Sequence, residues 1–266
     1  MAYPQSPERG PDLTGAGVIV TRPSGSADAV LRRIRALGGE GIALPGLSLR
    51  GPEDPEAARA ALHLAARSNI AVFVSPMAVR FAWQLAPNLH FPARTQVAAV
   101  GRATAAALRR RGVARVVEPA TSQDSEGLLA LPAMRSVRGA AVAVIGAPGG
   151  RDLMPGALRR RGAHVAQVDV YRRAAPRWTR RHFAALDTAP RPRILLLSSA
   201  QALANLATGL PAGLVLALRE AEVVVSSGRL CELAREHGFG RVHVAKSAVT
   251  DDMLTAAAQA LARHRL

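Results

Sequence analysis

Four blocks in the first half of this 266-residue chain recur further along at a nearly constant distance. The run Gly17-Val-Ile-Val-Thr-Arg22, leading through a helix-like stretch to Gly38, is echoed by Ala141-Val-Ala-Val-Ile-Gly146 leading to Gly162, the closing glycines lying 124 apart. Ile70-Ala-Val-Phe-Val-Ser-Pro76 is echoed at the same spacing by Ile194-Leu-Leu-Leu-Ser-Ser-Ala200. Val97-Ala-Ala-Val-Gly101, running on to Gly112, matches Glu222-Val-Val-Val-Ser-Ser227, running on to Gly238. Thr121 and Thr250 each begin a polar signal of the kind that opens a helix. A chain written twice must build one unit twice, and its length also points to two hydrophobic cores.

The character of the unit follows from periodicity. Short β-branched runs at 17–21, 40–44, 70–74, 96–100, 114–117, 140–145, 163–168, 193–197, 221–225 and 241–245 alternate with Ala/Leu/Arg segments of helical period. Alternation of this kind marks strands and helices layered around parallel sheets. The fold class expected is therefore α/β, with two similar doubly wound parallel-sheet domains of flavodoxin-like type. Repetition alone permits consecutive or interleaved domains. The stretches Pro45 to Pro52 and Asp169 to Pro176, each extended and ending in proline, favour interleaving through a pair of crossing strands.

Charge narrows the partner. A formal net charge of +16 favours an anion: nucleic acid, a membrane surface or an acidic small molecule. The arginine clusters at Arg32-Arg33-Arg35, Arg109 to Arg111 and Arg159 to Arg161 each precede a glycine, so they read first as cations at helix C-termini, where they complement the dipole. Aromatics make up 3% of the chain and the basic clusters form no single stripe, which argues against nucleic acid. Apolar runs fall short of the roughly 18 residues a membrane helix needs, and the first residues lack a secretory pattern, so a soluble cytoplasmic protein with a disordered leader over 1–12 is expected. One cysteine, Cys231, and seven scattered histidines offer no ligand spacing, and no metal is expected.

The chemistry-bearing residues gather at strand-to-helix turns: Val74-Ser75-Pro76, Val100-Gly101 with Thr104, Leu197-Ser198-Ser199 and Val225-Ser226-Ser227. In an open parallel sheet ligands bind at the carboxyl ends of strands, where helix N-termini present free N–H groups to carboxylates or phosphates. Each serine taken singly reads as an N-cap; four such turns in repeated halves read as an anion-binding face. Arg22 and Arg151 stand at corresponding turns, either as anion contacts or as exposed salt bridges. The loop from Ile145 to Asp152 is glycine-rich but has neither the dinucleotide spacing nor the ending of a phosphate loop. Tyr171, in the second crossing segment, is a candidate general acid or a tyrosine packed at the hinge. No Ser-His-Asp order or paired-carboxylate motif points to a hydrolase.

Thr21-Arg22-Pro23, Val72-Phe-Val-Ser75, Val97 to Thr104, Gly150-Arg151-Asp152 and Val170-Tyr171-Arg172 together resemble the uroporphyrinogen-III synthase family in order and spacing, over residues 14–264. The resemblance implies interleaved halves joined by a two-stranded linker. One domain then comprises 13–45 with 176–266, the other 52–168, and the linkers 46–51 and 169–175. It implies that hydroxymethylbilane, a linear tetrapyrrole with eight carboxylates, loses its hydroxyl and closes to uroporphyrinogen III, its last ring inverted through a spiro intermediate. No cofactor is implied, and a monomer is expected. Tyr171 matches the tyrosine assigned to hydroxyl departure. Thr104, Ser75, Ser198, Ser199 and Ser227 match turns facing the substrate, with Gly101, Arg22, Arg151 and Ser226 alongside. The turn Ser226-Ser227-Gly228-Arg229 departs from the Gly-x-x-Thr pattern of many members, which puts its roles in question. The alternative is a non-enzymatic two-domain module closing on an anionic small molecule.

Overall fold

The computed structural model describes residues 10–121, 124–149 and 153–264. The chain opens with β1 (Gly17–Val20), α1 (Asp28–Ala36), β2 (Glu40–Ala43) and β3 (Ser48–Arg50). It continues through α2 (Pro55–Ala65), β4 (Ile70–Phe73), α3 (Pro76–Leu85), β5 (Gln96–Ala99), α4 (Arg102–Arg109), β6 (Val116–Val117), α5 (Ser125–Ala130), α6 (Pro132–Arg135), β7 (Ala141–Gly146), α7 (Leu153–Arg160) and β8 (His164–Asp169). After β9 (Arg172–Ala174) come α8 (Arg180–Asp187), β10 (Arg193–Leu197), α9 (Ala200–Gly209), α10 (Ala212–Arg219), β11 (Glu222–Val225), α11 (Gly228–Glu236), β12 (Val242–Val244) and α12 (Thr250–His264).

The chain divides into two compact units, Met1–Ser48 with Ala174–Leu266, and Leu49–Arg173. It leaves the first, builds the second and returns, so the halves are interleaved. β3 pairs with β9 in a two-stranded sheet where the chain passes from one unit to the other. Each unit holds one parallel five-stranded sheet, in the orders β12-β11-β10-β1-β2 and β6-β5-β4-β7-β8. These are one order, with β1 and β2 standing for β7 and β8, and β10 to β12 for β4 to β6. Numbered along the chain, the first unit has the 2-1-3-4-5 arrangement of flavodoxin-like folds, and the second, which the chain enters at β4, reads 3-2-1-4-5, a circular permutation of the same layout.

Strand composition explains why both faces of each sheet are covered. β1, β4, β10 and β11 are apolar along nearly their whole length, as parallel strands buried on two sides must be. Successive side chains point to opposite faces. Val18 and Val20 therefore pack with α1 and α12 residues such as Ile34 and Leu254, whereas Ile19 packs on the far face with Leu203 and Leu230. In the other unit Ile70 and Val72 join one core while Ala71 and Phe73 join the other. Each such valine, leucine, isoleucine or phenylalanine side chain contributes about 1.5–3 kcal/mol when fully buried.

All ten strands expected from periodicity are present. The run at 114–117 is paired only over Val116–Val117. The turn before it is closed by Gly112 at φ +85°, and the chain first pairs with β5 at Val116. Gly38 and Gly162, the glycines that first revealed the repeat, adopt φ of +82° and +85°, a left-handed conformation that ends a helix at low steric cost only without a Cβ. The arginines before them lie in the last helical turns, as their position suggests: Arg33 and Arg35 in α1, Arg159 and Arg160 in α7. Among the described residues no helix is long and apolar enough to cross a membrane.

Candidate active site

The order of each sheet creates one point at which the direction of winding reverses, and the crevice outside the strand ends at that point is where open α/β sheets bind ligands. In the first unit it lies between β1 and β10. In the second it lies between β7 and β4. Both points carry a cavity.

The first is a narrow recess of about 20 Å³, lined among others by Thr21, Arg22, Ser198 and Thr250. Thr21 is buried and donates its hydroxyl to the Leu196 carbonyl at 2.7 Å, tying the end of β1 to β10. Arg22, which follows, donates from Nη2 to the Thr250 hydroxyl at 3.2 Å. The guanidinium is thereby held at the N-terminus of the fifteen-residue α12, where free N–H groups already favour an anion. Ser198 is exposed beside it, and Ser199 turns back as the N-cap of α9, accepting from the Ala202 N–H at 3.3 Å. Ser227 does the same for α11, accepting from the Leu230 N–H at 3.4 Å, and Ser226 is half-buried at the end of β11. Arg229 is exposed in the first turn of α11.

The cavity of the second unit is far larger, about 480 Å³. Its walls include Val74, Val100, Gly146, Ala147 and Asp169 from the carboxyl ends of β4, β5, β7 and β8, with Asp124 and Glu126 at the start of α5. A neighbouring cavity of about 560 Å³ shares Gln167, Asp169 and Arg173 and is also lined by Tyr171. Tyr171 is only 5% exposed and belongs to the core. Its ring stacks on Phe81 with centroids 5.2 Å apart and planes at 16°, and its hydroxyl lies 3.3 Å from Ser75 Oγ. Ser75 caps α3, accepting from the Ala78 N–H at 3.0 Å. Gly101 occupies the same capping position for α4 with an extended backbone, and Thr104, one turn in, is 2% exposed.

Tyr171 is thus packed in the core of its unit with its hydroxyl against Ser75. The structure brings Ser75 and Tyr171 together in one unit, and Arg22 and Ser198 in the other. Arg151, with Gly150 and Asp152, lies outside the described residues. Two features had no local sequence signal: the Arg22–Thr250 contact, which spans 228 positions, and the place of Asp169 on two cavity walls. Asp169 is solvent-exposed at the end of β8, and the neighbouring atoms that exclude part of its water raise its pKa above the ordinary aspartate value.

Two flavodoxin-like parallel sheets in one chain, with Thr21, Ser198 and Ser199 at the reversal point of one and Ser75 at that of the other, define an interleaved two-unit α/β protein. A family model described as uroporphyrinogen-III synthase HemD matches residues 28–255. The chain belongs to the uroporphyrinogen-III synthase family, and a non-enzymatic binding module is accordingly not favoured. It is 30% identical over 252 residues to the uroporphyrinogen-III synthase of Salmonella typhimurium strain LT2, covering 90% of this chain and 98% of that protein. The corresponding protein of Escherichia coli strain K12 is 29% identical over 250 residues, with the same shares. Among solved structures, a mutant uroporphyrinogen III synthase of the extremely thermophilic bacterium Thermus thermophilus superposes with a TM-score of 0.57 at 19% identity, over 92% of this chain and 98% of that one. The uroporphyrinogen-III synthetase of Helicobacter pylori 26695 gives 0.58 at 15% identity, over 92% and 99%. At such identities the likeness is one of fold.

Proposed function

We propose that this chain cyclises hydroxymethylbilane to uroporphyrinogen III, releasing water and inverting ring D. The observation that carries the reading is the recurrence of hydroxyl-bearing turns at the same topological point of both sheets, in a chain of this family with a net charge of +16. A substrate with eight carboxylates suits many weak donors spread over several helix N-termini better than one strong site.

In this scheme Arg22, Ser75, Gly101, Thr104, Arg151, Ser198, Ser199, Ser226 and Ser227 serve as the carboxylate-holding set. Ser75 Oγ already accepts the Ala78 N–H, which leaves its own O–H to donate to Tyr171 or to substrate. Tyr171 assists departure of the hydroxyl by donating a proton as the C–O bond breaks. The rest of the rate comes from holding a flexible chain of four rings in the folded shape from which the inverted ring closes. No cofactor enters the scheme. A single chain supplies both sets of turns, which supports a monomer as the working form. The buried free thiol of Cys231 fits a reducing cytoplasm.

The test is to supply hydroxymethylbilane and identify the ring isomer. Type III product above a no-protein control is expected. Type I alone overturns the reading.

A further inference from the structure

We propose that Asp169 is the proton acceptor of this cyclisation, an inference that rests on the function proposed above. Asp169 ends β8 in register with Gly146 of β7, beside the reversal point of the second sheet, and it lines both the 480 Å³ and the 560 Å³ cavities. Of the four other acids around these cavities, the two aspartates have structural duties and the two glutamates, Glu53 and Glu126, lie outside the strand ends. Asp124 accepts from the Gly127 N–H and caps α5, and Asp54 accepts from the Ala57 N–H and caps α2. Among the described residues the Asp169 carboxylate has no hydrogen bond or ion pair. The groups facing it are Asp124, Glu126 and Arg173 in the 480 Å³ cavity, and Glu53, Asp54, Tyr171 and Arg172 in its neighbour. Arg173 is turned to the Pro148 carbonyl, 3.4 Å from Nη1.

An unpaired carboxylate on the wall of a site for a polycarboxylate works against ground-state binding. It aids turnover only where it meets positive charge that the reaction creates. This reaction creates such charge. Loss of the hydroxyl leaves a cation delocalised over a pyrrole ring. After ring closure, the α-carbon of ring D that bore hydrogen is tetrahedral in a cationic ring. The Asp169 carboxylate takes that proton: the C–H bond breaks, its electron pair refills the pyrrole ring and neutralises it, and the proton passes from Oδ to solvent. The proton that left with the hydroxyl as water is thereby balanced. The partial exclusion of water, by raising the carboxylate's affinity for a proton, makes it a better base.

The experiment compares Asp169→Asn and Asp169→Glu with the parent chain, using hydroxymethylbilane with and without deuterium at that α-carbon. Asp169→Asn is expected to lower kcat by about 100- to 1,000-fold, in the range of base removal, with KM little changed and the product still type III. Its residual rate should show a primary deuterium isotope effect larger than the parent's, since proton removal has become slow. The acid-side limb of the parent's kcat profile, where Asp169 becomes protonated, should be absent. The same exclusion of water disfavours the ionised form in the folded state, so the asparagine variant should melt no lower than the parent at neutral pH. An unchanged kcat, a loss confined to KM, or an isotope effect no larger than the parent's overturns the proposal. Should the asparagine variant fail to fold, Asp169→Glu decides: a shifted acid limb supports the role and an unshifted one overturns it. Failure of the parent chain to make type III product would instead remove the function on which the inference rests.

Discussion

The hydroxyls of Ser75 and Tyr171, 96 positions apart in the chain, lie 3.3 Å from each other, one at the N-cap of α3 and the other on the segment leading into β9. Replacing Tyr171 by Phe removes the hydroxyl and keeps the stack on Phe81. Turnover is expected to fall about 10- to 100-fold, as on loss of a general acid, with the thermal midpoint nearly unchanged. Steady-state kinetics beside a melting curve check this; equal turnover would reduce Tyr171 to a packing residue.

Ser75, Ser199 and Ser227 cap three helices by the same contact. Alanine at each should cost about 1 kcal/mol of stability, measured by denaturant unfolding. If the serines also hold substrate carboxylates, KM rises in each variant; if KM is unmoved, they are caps alone.

Arg22 is held toward Thr250 at the first turn of α12. Loss of a charge-assisted bond to a substrate carboxylate is worth about 1.5–3 kcal/mol, so Arg22→Ala should raise KM about tenfold or more. The effect should shrink in high salt. A Thr250→Val variant, which frees the guanidinium, should show a smaller rise.

Gly38 and Gly162 are repeat partners with nearly equal φ, so alanine at either incurs about 1–2 kcal/mol of left-handed strain. Their surroundings differ. A Cβ at Gly38 would come within 2.5 Å of Thr14 Oγ1 and 3.2 Å of its Cα, whereas at Gly162 the nearest atom is the flexible Arg138 Cγ at 3.3 Å. Gly38→Ala should therefore be the more destabilising of the pair in parallel thermal melts.

Glu222, 5% exposed at the start of β11, lies 2.6 Å from His243 Nε2, 3.3 Å from His264 Nδ1 and 3.2 Å from Arg241 Nε. These contacts sit at the amino end of the sheet, opposite the candidate site, and tie the last turn of α12 to β11. Glu222→Gln should lower stability by about 1–3 kcal/mol, read by denaturant unfolding, and leave the product isomer type III.

Much of this architecture is legible in the sequence, because repetition and strand periodicity are local signals. The spacing of Gly38 and Gly162 exposes two copies of one unit, and apolar runs such as Ile70 to Phe73 mark strands buried on both faces. Ser75, Ser199 and Ser227 are legible as helix starts for the same reason: a cap acts on its own next turn. The sequence alone therefore determined the class of fold, the number of units and the turns at which a ligand could bind. Tertiary structure decided which of those residues meet. Thr250 reaches Arg22, Tyr171 reaches Ser75 and Asp169 arrives on two cavity walls only because distant strands pair in one particular order. A contact across 96 or 228 positions leaves no periodic trace in the residues between. It is set by the packing of whole layers, and Asp169 in particular differs from any other aspartate only in the cavities that surround it.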